Sequence, residues 1–244
     1  MISRHSPDSA VACLSKKKSF TVDCEKCSLR PSMLFSDLDL NGFTQRIGLI
    51  NHSISKARTT IYMQGEAPGN IFSLRHGFIK LIQLNSNGEQ RIIRILGPGD
   101  CIGLEALHKQ SYRQTAEAIT DVDYCIIPIN TIFQIEQEQP SLYVALQDQL
   151  QKQLEDSEHW LNQLVVGPIK QRFCRFLLLH YQIERSKDYQ ISLISNQDMA
   201  SILATSEETI SRCLSDLRKN KQVEKIEKRI YRLNLEAIEE IADV

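Results

Sequence analysis

Two sets of side chains in this sequence could do chemistry. The first is a set of thiols. Cys24-Glu25-Lys26-Cys27 holds two cysteines at the interval of a metal-binding or redox pair, Cys13 lies upstream, and Cys125 stands far off in Tyr124-Cys125-Ile126-Ile127-Pro128. The second is a row of hydrogen-bonding groups within residues 195–220. At about 100° per residue, Glu208, Ser211, Arg212, Ser215 and Lys219 share one helical face, and Ile210, Leu214 and Leu217 make the opposite stripe. Arginine can donate two bonds to a guanine, and glutamate can accept from a cytosine amino group, so this face suits a DNA major groove. By periodicity alone an ordinary amphipathic helix with a solvated side is the stronger reading.

The elements that must position that row are legible nearby. Ser195 can cap a first helix, with Asp198 completing a capping box and Met199, Ile202 and Leu203 as its apolar face. Ser206 can cap a second helix whose first turn carries Glu207 and Glu208. The run Glu208-Thr209-Ile210-Ser211-Arg212 resembles the recognition helix of the FNR branch of the CRP/FNR transcription regulators. The resemblance implies that Glu208, Ser211 and Arg212 read a TTGAT half-site, with Ser206 and Thr209 beside them at the DNA. Glu207 departs from the family, which has an apolar or basic residue there, and leaves the outer base unassigned.

With 244 residues the chain is long enough for two domains with cores of their own, and 29 Lys and Arg nearly balance 30 Asp and Glu. No run of about 18 apolar residues could span a membrane, and the first thirty residues lack a secretory core, so a soluble, cytoplasmic protein is expected. In that compartment seven cysteines are not a disulfide framework. The charge is uneven: residues 167–232 hold thirteen Lys or Arg against eight Asp or Glu, which favours double-stranded DNA as a partner. No Ser-His-Asp order, paired catalytic carboxylates or phosphate loop is present, so an enzyme is not expected.

The expected fold is α+β, in four parts. Residues 1–34 are a flexible segment with the first three cysteines and a lysine run, Lys16 to Lys18, read as solvated. Residues 35–139 form the next domain: a helical pattern from Asp39 to His52, then strands at 59–64, 71–75, 78–84, 90–96, 115–119 and 122–127, with Asn87-Gly88 as a hairpin signal. Its glycines, within GEAPGNIFSLRHGFIKL and LGPGDCIG, resemble those of the β-roll sensor domain of the same superfamily. Relatives that bind cyclic nucleotides carry a Glu after the glycine matching Gly103 and an Arg-Ser pair further on. Here Leu104 follows, and Tyr112-Arg113 stand in place of the pair, so cAMP is not expected.

Residues 140–166 continue one helical period in Leu142, Leu146, Leu150, Leu154, Leu161 and Leu164. The superfamily uses this helix as a dimer seam, which implies a homodimer through Leu146, Leu150, Leu154 and Leu161. Gln153, Glu155, Asp156, Ser157 and Glu158 interrupt the stripe; they are either repelling groups at that seam or simply solvated. Gly167-Pro168 then opens a winged helix-turn-helix domain at 167–244, with His180 in its core and a wing at 225–233 whose Lys225, Lys228, Arg229 and Arg232 can meet phosphates.

Cys24, Cys27 and Cys125 match positions that hold an oxygen-sensitive 4Fe-4S cluster in FNR, whereas the family's third N-terminal cysteine is Met33 here, a poor iron ligand. Cys13, Asp23 or Asp37 could supply the missing ligand; alternatively Cys24 and Cys27 are a redox dithiol or inert thiols. Cys101, Cys174 and Cys213 read as small core hydrophobes. The resemblance thus implies a regulator answering oxygen, nitric oxide or redox state, with RNA polymerase as a partner if it activates. The alternatives are a cluster-free regulator sensing a small ligand or haem in the roll, and a ligand- and protein-binding module that ignores DNA.

Overall fold

The alternating pattern between residues 51 and 128 folds as antiparallel ladders. The computed structural model describes residues 18–21, 34–35, 50–108, 111–184 and 188–243. Its first nine strands are β1 (Lys18–Thr21), β2 (Asn51–Ser55), β3 (Thr60–Tyr62), β4 (Asn70–His76), β5 (Ile79–Leu84), β6 (Gln90–Leu96), β7 (Cys101–Ile102), β8 (Thr115–Ala118) and β9 (Val122–Pro128). They form a five-stranded sheet in the order β1-β2-β9-β4-β7 and a four-stranded sheet in the order β3-β8-β5-β6.

Strand side chains alternate between faces, and here both faces of the five-stranded sheet are used. Phe72, Leu74, Ile102, Val122 and Tyr124 point inward against Ile79, Leu81, Leu96, Ala116 and Ala118 of the other sheet. The residues between them, Ile71, Cys101, Cys125 and Ile127, form a second core on the outward face beneath Leu34 and Phe35. The Asn87-Gly88 hairpin forms as expected: Gly88 has φ +84° and the Asn85 N–H donates to the Glu89 carbonyl at 2.9 Å. Gly77, at φ +82°, permits another close turn, since a Cβ there would lie 2.3 Å from the Asp121 carbonyl oxygen.

Four sequence-based expectations need correction. Lys18–Thr21, read as part of a flexible segment, form β1 because each pairs with a residue of β2. The helical pattern assigned as far as His52 yields by Asn51, which begins β2, because the ladder to β9 pairs Asn51 with Ile126 and His52 with Cys125. The strand expected over 59–64 is only Thr60–Tyr62: the Met63 N–H turns to the Glu66 carboxylate and the Gln64 N–H to the Thr115 hydroxyl. A helix not anticipated, α1 (Ile129–Glu138), starts after Pro128, buries Ile129, Ile132 and Ile135 at three-residue spacing, and ends before Pro140.

Helix α2 (Ser141–Val165) follows the leucine repeat, and its leucines divide between two surfaces. Leu142 and Leu146 are buried in the outward core, whereas Leu150, Leu154 and Leu161 are exposed at 44%, 54% and 59%. The polar interruption docks in part on the roll. Gln153 donates to the Cys101 carbonyl at 2.8 Å, Lys152 meets Asp100 at 2.7 Å, and Asp156 lies 3.5 Å from Arg94.

The remaining elements are α3 (Ile169–Glu184), β10 (Gln190–Ser192), α4 (Asn196–Ile202), α5 (Glu207–Lys219), β11 (Val223–Glu227), β12 (Ile230–Leu233) and α6 (Leu235–Ala242), with strand order β10-β12-β11. Helix α6 was not anticipated from its acidic surface; Asn234 caps it and Ile238 and Ala242 are buried. Phe173, Phe176, Leu177, Ile210, Leu217 and Ile238 centre this core, which Ile92 and Ile95 of the roll join. Across that junction Lys80, which also meets Glu117 of its own sheet at 3.0 Å, meets Asp198 at 2.8 Å, and the Ile92 N–H donates to the Ser201 hydroxyl at 3.1 Å.

Candidate nucleic-acid interface

Helices α4 and α5 are fixed by their ends. The Ser195 hydroxyl accepts from the Asp198 N–H at 3.0 Å and donates to the Asp198 carboxylate at 2.7 Å. The same carboxylate meets Lys80 of the roll, so one side chain closes the helix start and ties it to the β-roll. Between the helices Ala204 takes φ +47° and the Thr205 N–H reaches back to the Ala200 carbonyl at 3.0 Å. The Ser206 hydroxyl then caps α5 by accepting from the Thr209 N–H at 3.2 Å, and the Ser206 and Thr209 hydroxyls lie 2.9 Å apart. Both are thus engaged in the cap as well as lying beside the exposed row.

Burial orients α5. Ile210 and Leu217 are fully buried and Cys213 nearly so, whereas Glu208, Ser211, Arg212, Ser215 and Lys219 are exposed. Arg212 donates to Glu208 at 2.5 Å, one turn away, with about three quarters of each side chain in solvent. A pair so exposed contributes little to stability. It does hold a cationic fork and a carboxylate side by side on the outward face.

The wing presents Lys225, Lys228 and Arg229 to solvent. Arg229 stands at its turn with φ +68°, and its carbonyl accepts from the Leu193 N–H at 2.8 Å, which anchors the wing to the segment leading into α4. Arg232 is engaged across the ladder with Glu224 at 3.1 Å. Two cations not singled out from the sequence join this surface: Arg218 and Lys221 line a cleft with Lys219, Lys225, Ser215 and Glu224. Their signal was present as a run of cations at the end of α5, where the helix dipole favours positive charge.

His180 lies buried beneath this unit, its Nε2 3.0 Å from the Ser192 carbonyl oxygen and its ring stacked on Phe176. Burial lowers its pKa, opposed by the Ser192 hydrogen bond and by Glu184. Cys174 and Cys213 belong to the same core; burial raises both thiols, Cys174 to about 12, which suits inert hydrophobes.

In the roll, rings fill the interior. Tyr112 stacks on Tyr62 with centroids 4.0 Å apart and donates to the Asn70 carbonyl at 2.7 Å; Phe72 and Tyr124 continue the cluster. Gly103 packs against it, and Leu104 is buried where nucleotide-binding relatives would carry a glutamate. Of the candidate metal ligands, Cys125 lies in β9 on the outward face, 6% exposed, while Cys13, Cys24 and Cys27 lie outside the described residues, as do Met33, Asp23 and Asp37. Among the described residues no three His, Cys, Asp or Glu side chains converge to hold a metal ion. No described helix is long and apolar enough to cross a membrane.

Comparison with known proteins agrees with this architecture. The cyclic nucleotide-binding domain family matches residues 55–139 and the Crp-like helix-turn-helix domain family matches residues 171–241, together well over half of the chain. The transcriptional regulator LdrP of Thermus thermophilus is 28% identical over 185 residues, which are 75% of this chain and 92% of that protein. The transcriptional activator protein Anr of Pseudomonas aeruginosa is 21% identical over 202 residues, 81% of this chain and 83% of its own length. The structure of FixK2 from Bradyrhizobium japonicum shares the fold at a TM-score of 0.71 and 22% identity, covering 79% of this chain and 96% of that one. A β-roll domain and a helix-turn-helix domain are thus matched in sequence and the overall fold in shape, and the chain belongs to the CRP/FNR family of DNA-binding transcription regulators, not to an enzyme family.

Proposed function

We propose that this regulator binds DNA as a homodimer, each α5 reading a TTGAT half-site, and that an iron–sulfur cluster couples binding to oxygen, nitric oxide or redox state. The observation that carries the DNA reading is the exposed Glu208–Arg212 pair on a helix whose opposite face is locked by Ile210 and Leu217. Arg212 donates two bonds to a guanine, Glu208 accepts from a cytosine amino group, and Ser211 adds an adaptable partner. Lys228 and Arg229 hold phosphates without reading bases.

The exposed leucines of α2, Leu150, Leu154 and Leu161, with Tyr143 and Val165, support a seam between two copies. Leu146 is committed to the chain's own core, so it shapes the seam from below instead of facing the partner. The activator among the relatives supports RNA polymerase as a further partner. A cAMP-gated reading is disfavoured by Leu104, buried after Gly103, and by Tyr112, stacked on Tyr62.

For the cluster, the chemistry of the donor set fits: Cys125 is a thiol donor on the outward face of the sheet, and Cys24 and Cys27, outside the described residues, would supply two more thiolates. When bound, such a cluster supplies an oxygen-labile link between the N-terminal segment and the sheet. The protein's own thiolates hold it, and α2, packed on the same face through Leu142 and Leu146, feels any change there.

The test is binding of the anaerobically purified protein to a TTGAT palindrome and to scrambled duplex of equal length. Arg212→Ala is expected to lose preference for the palindrome while retaining weak binding to both. Equal losses on both duplexes would refute the reader assignment.

A further inference from the structure

Asp156, in the polar interruption of α2, faces a cleft where three parts of the chain meet. The turn between β6 and β7 comes so close to α3 that a Cβ on Gly97 would stand 2.9 Å from Ile183. Beside that contact lies a cleft of about 220 Å³, bounded by β6 and its turn, by α2 and by α3. Ile95, Pro98, Leu179, Ile183 and the partly buried Trp160 give it apolar walls.

Its charged groups are not equally satisfied. The Asp100 carboxylate accepts from the Gly97 N–H at 2.9 Å and from Lys152 at 2.7 Å, which fixes the turn and closes that pair. Arg94 is different. Its side chain is 13% exposed, yet the nearest carboxylate, Asp156, stands 3.5 Å away and is itself 47% exposed. Among the described residues no hydrogen bond closes on the Arg94 guanidinium. Burial lowers its pKa against the pull of Asp100 and Asp156, the mark of a buried cation short of compensation.

A guanidinium is a planar fork of donors that matches the two oxygens of a carboxylate. Asp156 stands half in water, so its release costs little, whereas Arg94 left without an anion in the cleft is costly. A carboxylate arriving from solvent can therefore replace Asp156, and a flat apolar body attached to it packs against Trp160 and the aliphatic wall. The volume restricts the guest to about one ring, since drug-sized ligands need roughly 300 Å³ or more.

We propose that this cleft binds a small carboxylate with a flat apolar body, Arg94 holding the carboxylate and Trp160 the body. The site is separate from the cluster reading and uses none of the cysteines. At about 100° per residue, Lys152, Asp156 and His159 fall on the side of α2 away from Leu150, Leu154 and Leu161, so a seam through those leucines leaves the cleft open. Occupancy exchanges the Arg94–Asp156 tie between roll and α2 for contacts that also reach α3 of the DNA-binding unit.

Trp160 is the sole tryptophan of the chain, so its fluorescence reports the cleft directly. The full-length protein is titrated with benzoate, with benzamide as the uncharged counterpart, and with inorganic phosphate. Benzoate is expected to change the emission with a midpoint of about 1 mM, in keeping with so few atoms, and the other two should need roughly tenfold more. Arg94→Gln should raise the benzoate midpoint about tenfold with an unchanged far-ultraviolet circular dichroism spectrum. Asp156→Asn removes the competing carboxylate from an exposed position and should lower the midpoint roughly threefold, which tests the exchange without disturbing a buried group. Absence of a saturable change with benzoate would overturn the proposal, as would equal midpoints for benzoate and benzamide or a wild-type midpoint in both variants. Tighter binding of phosphate than of benzoate would overturn the ligand class, and a raised midpoint in Asp156→Asn would overturn the exchange.

Discussion

Glu208 and Arg212 meet at 2.5 Å because they are four residues apart on one helix, whereas Cys125 and Cys101 share a face because two ladders bring β9 and β7 to either side of β4. Local geometry delivers the first surface wherever α5 forms. The second exists only in the finished sheet, since a one-residue slip of either ladder would send a thiol to the opposite face. The recognition surface should therefore tolerate loss of its own side chains but not of the core that aims it. The cysteine face should depend on register and on the cover above it.

The largest expected effect tests the aiming core. Ile210→Ala removes a fully buried side chain shared by α5 and the DNA-binding unit and should cost about 2–5 kcal/mol of stability, read by denaturant unfolding. Palindrome binding should fall with it although no reader is touched. Unaltered stability would mean that α5 is not held as described.

Next, Arg212→Ala should cost about 1–3 kcal/mol of discrimination, roughly a 5- to 150-fold loss of preference for the palindrome, with unfolding almost unchanged. This separates reader from scaffold within one helix. A loss of stability matching Ile210→Ala would erase that distinction.

A smaller effect comes from pH. Burial holds the pKa of His180 below its ordinary value, so the unfolded chain binds that proton more readily. The associated stability is present above the unfolded value, near 6.5, and is lost as pH falls from there through the lowered folded value. The groups facing the ring are the Ser192 carbonyl, Glu184, Phe176 and Phe78. Melting of the wild type should drop by a few degrees between pH 7 and 5, and His180→Leu should flatten that slope. An identical slope in the variant would place the sensitive group elsewhere, including on the roll.

The smallest is Lys228→Ala, expected to weaken binding to palindrome and scrambled duplex alike and to reduce the salt-dependence slope by about 0.9. Selective loss on the palindrome would make Lys228 a reader and blur the division between helix and wing.

How much of this could be read beforehand follows the same division. The two caps, Ser195 and Ser206, and the buried stripe of α5 formed where spacing placed them, because capping and 3.6-residue periodicity act within a turn or two. The hairpin at Asn87-Gly88 formed for an equally local reason. The start of β2 was hidden because Asn51 and His52 become strand through pairing with β9 and β1, both distant in sequence. Helix α6 was hidden because its acidic surface drew attention from Ile238, whose burial depends on α3 and the rest of the core.

Sequence by itself determined the exposed polar row of α5, the breaks at Pro140 and Gly167 and the leucine repeat of α2. Each is set by the conformational preference of a few neighbouring residues. Only the tertiary structure decided that Leu146 is spent on the chain's own core, that Asp198 bonds Lys80 as well as its cap, and that Cys101 and Cys125 lie on one face beneath Leu34. These depend on strand register and on packing between segments distant in sequence, which local preference does not encode.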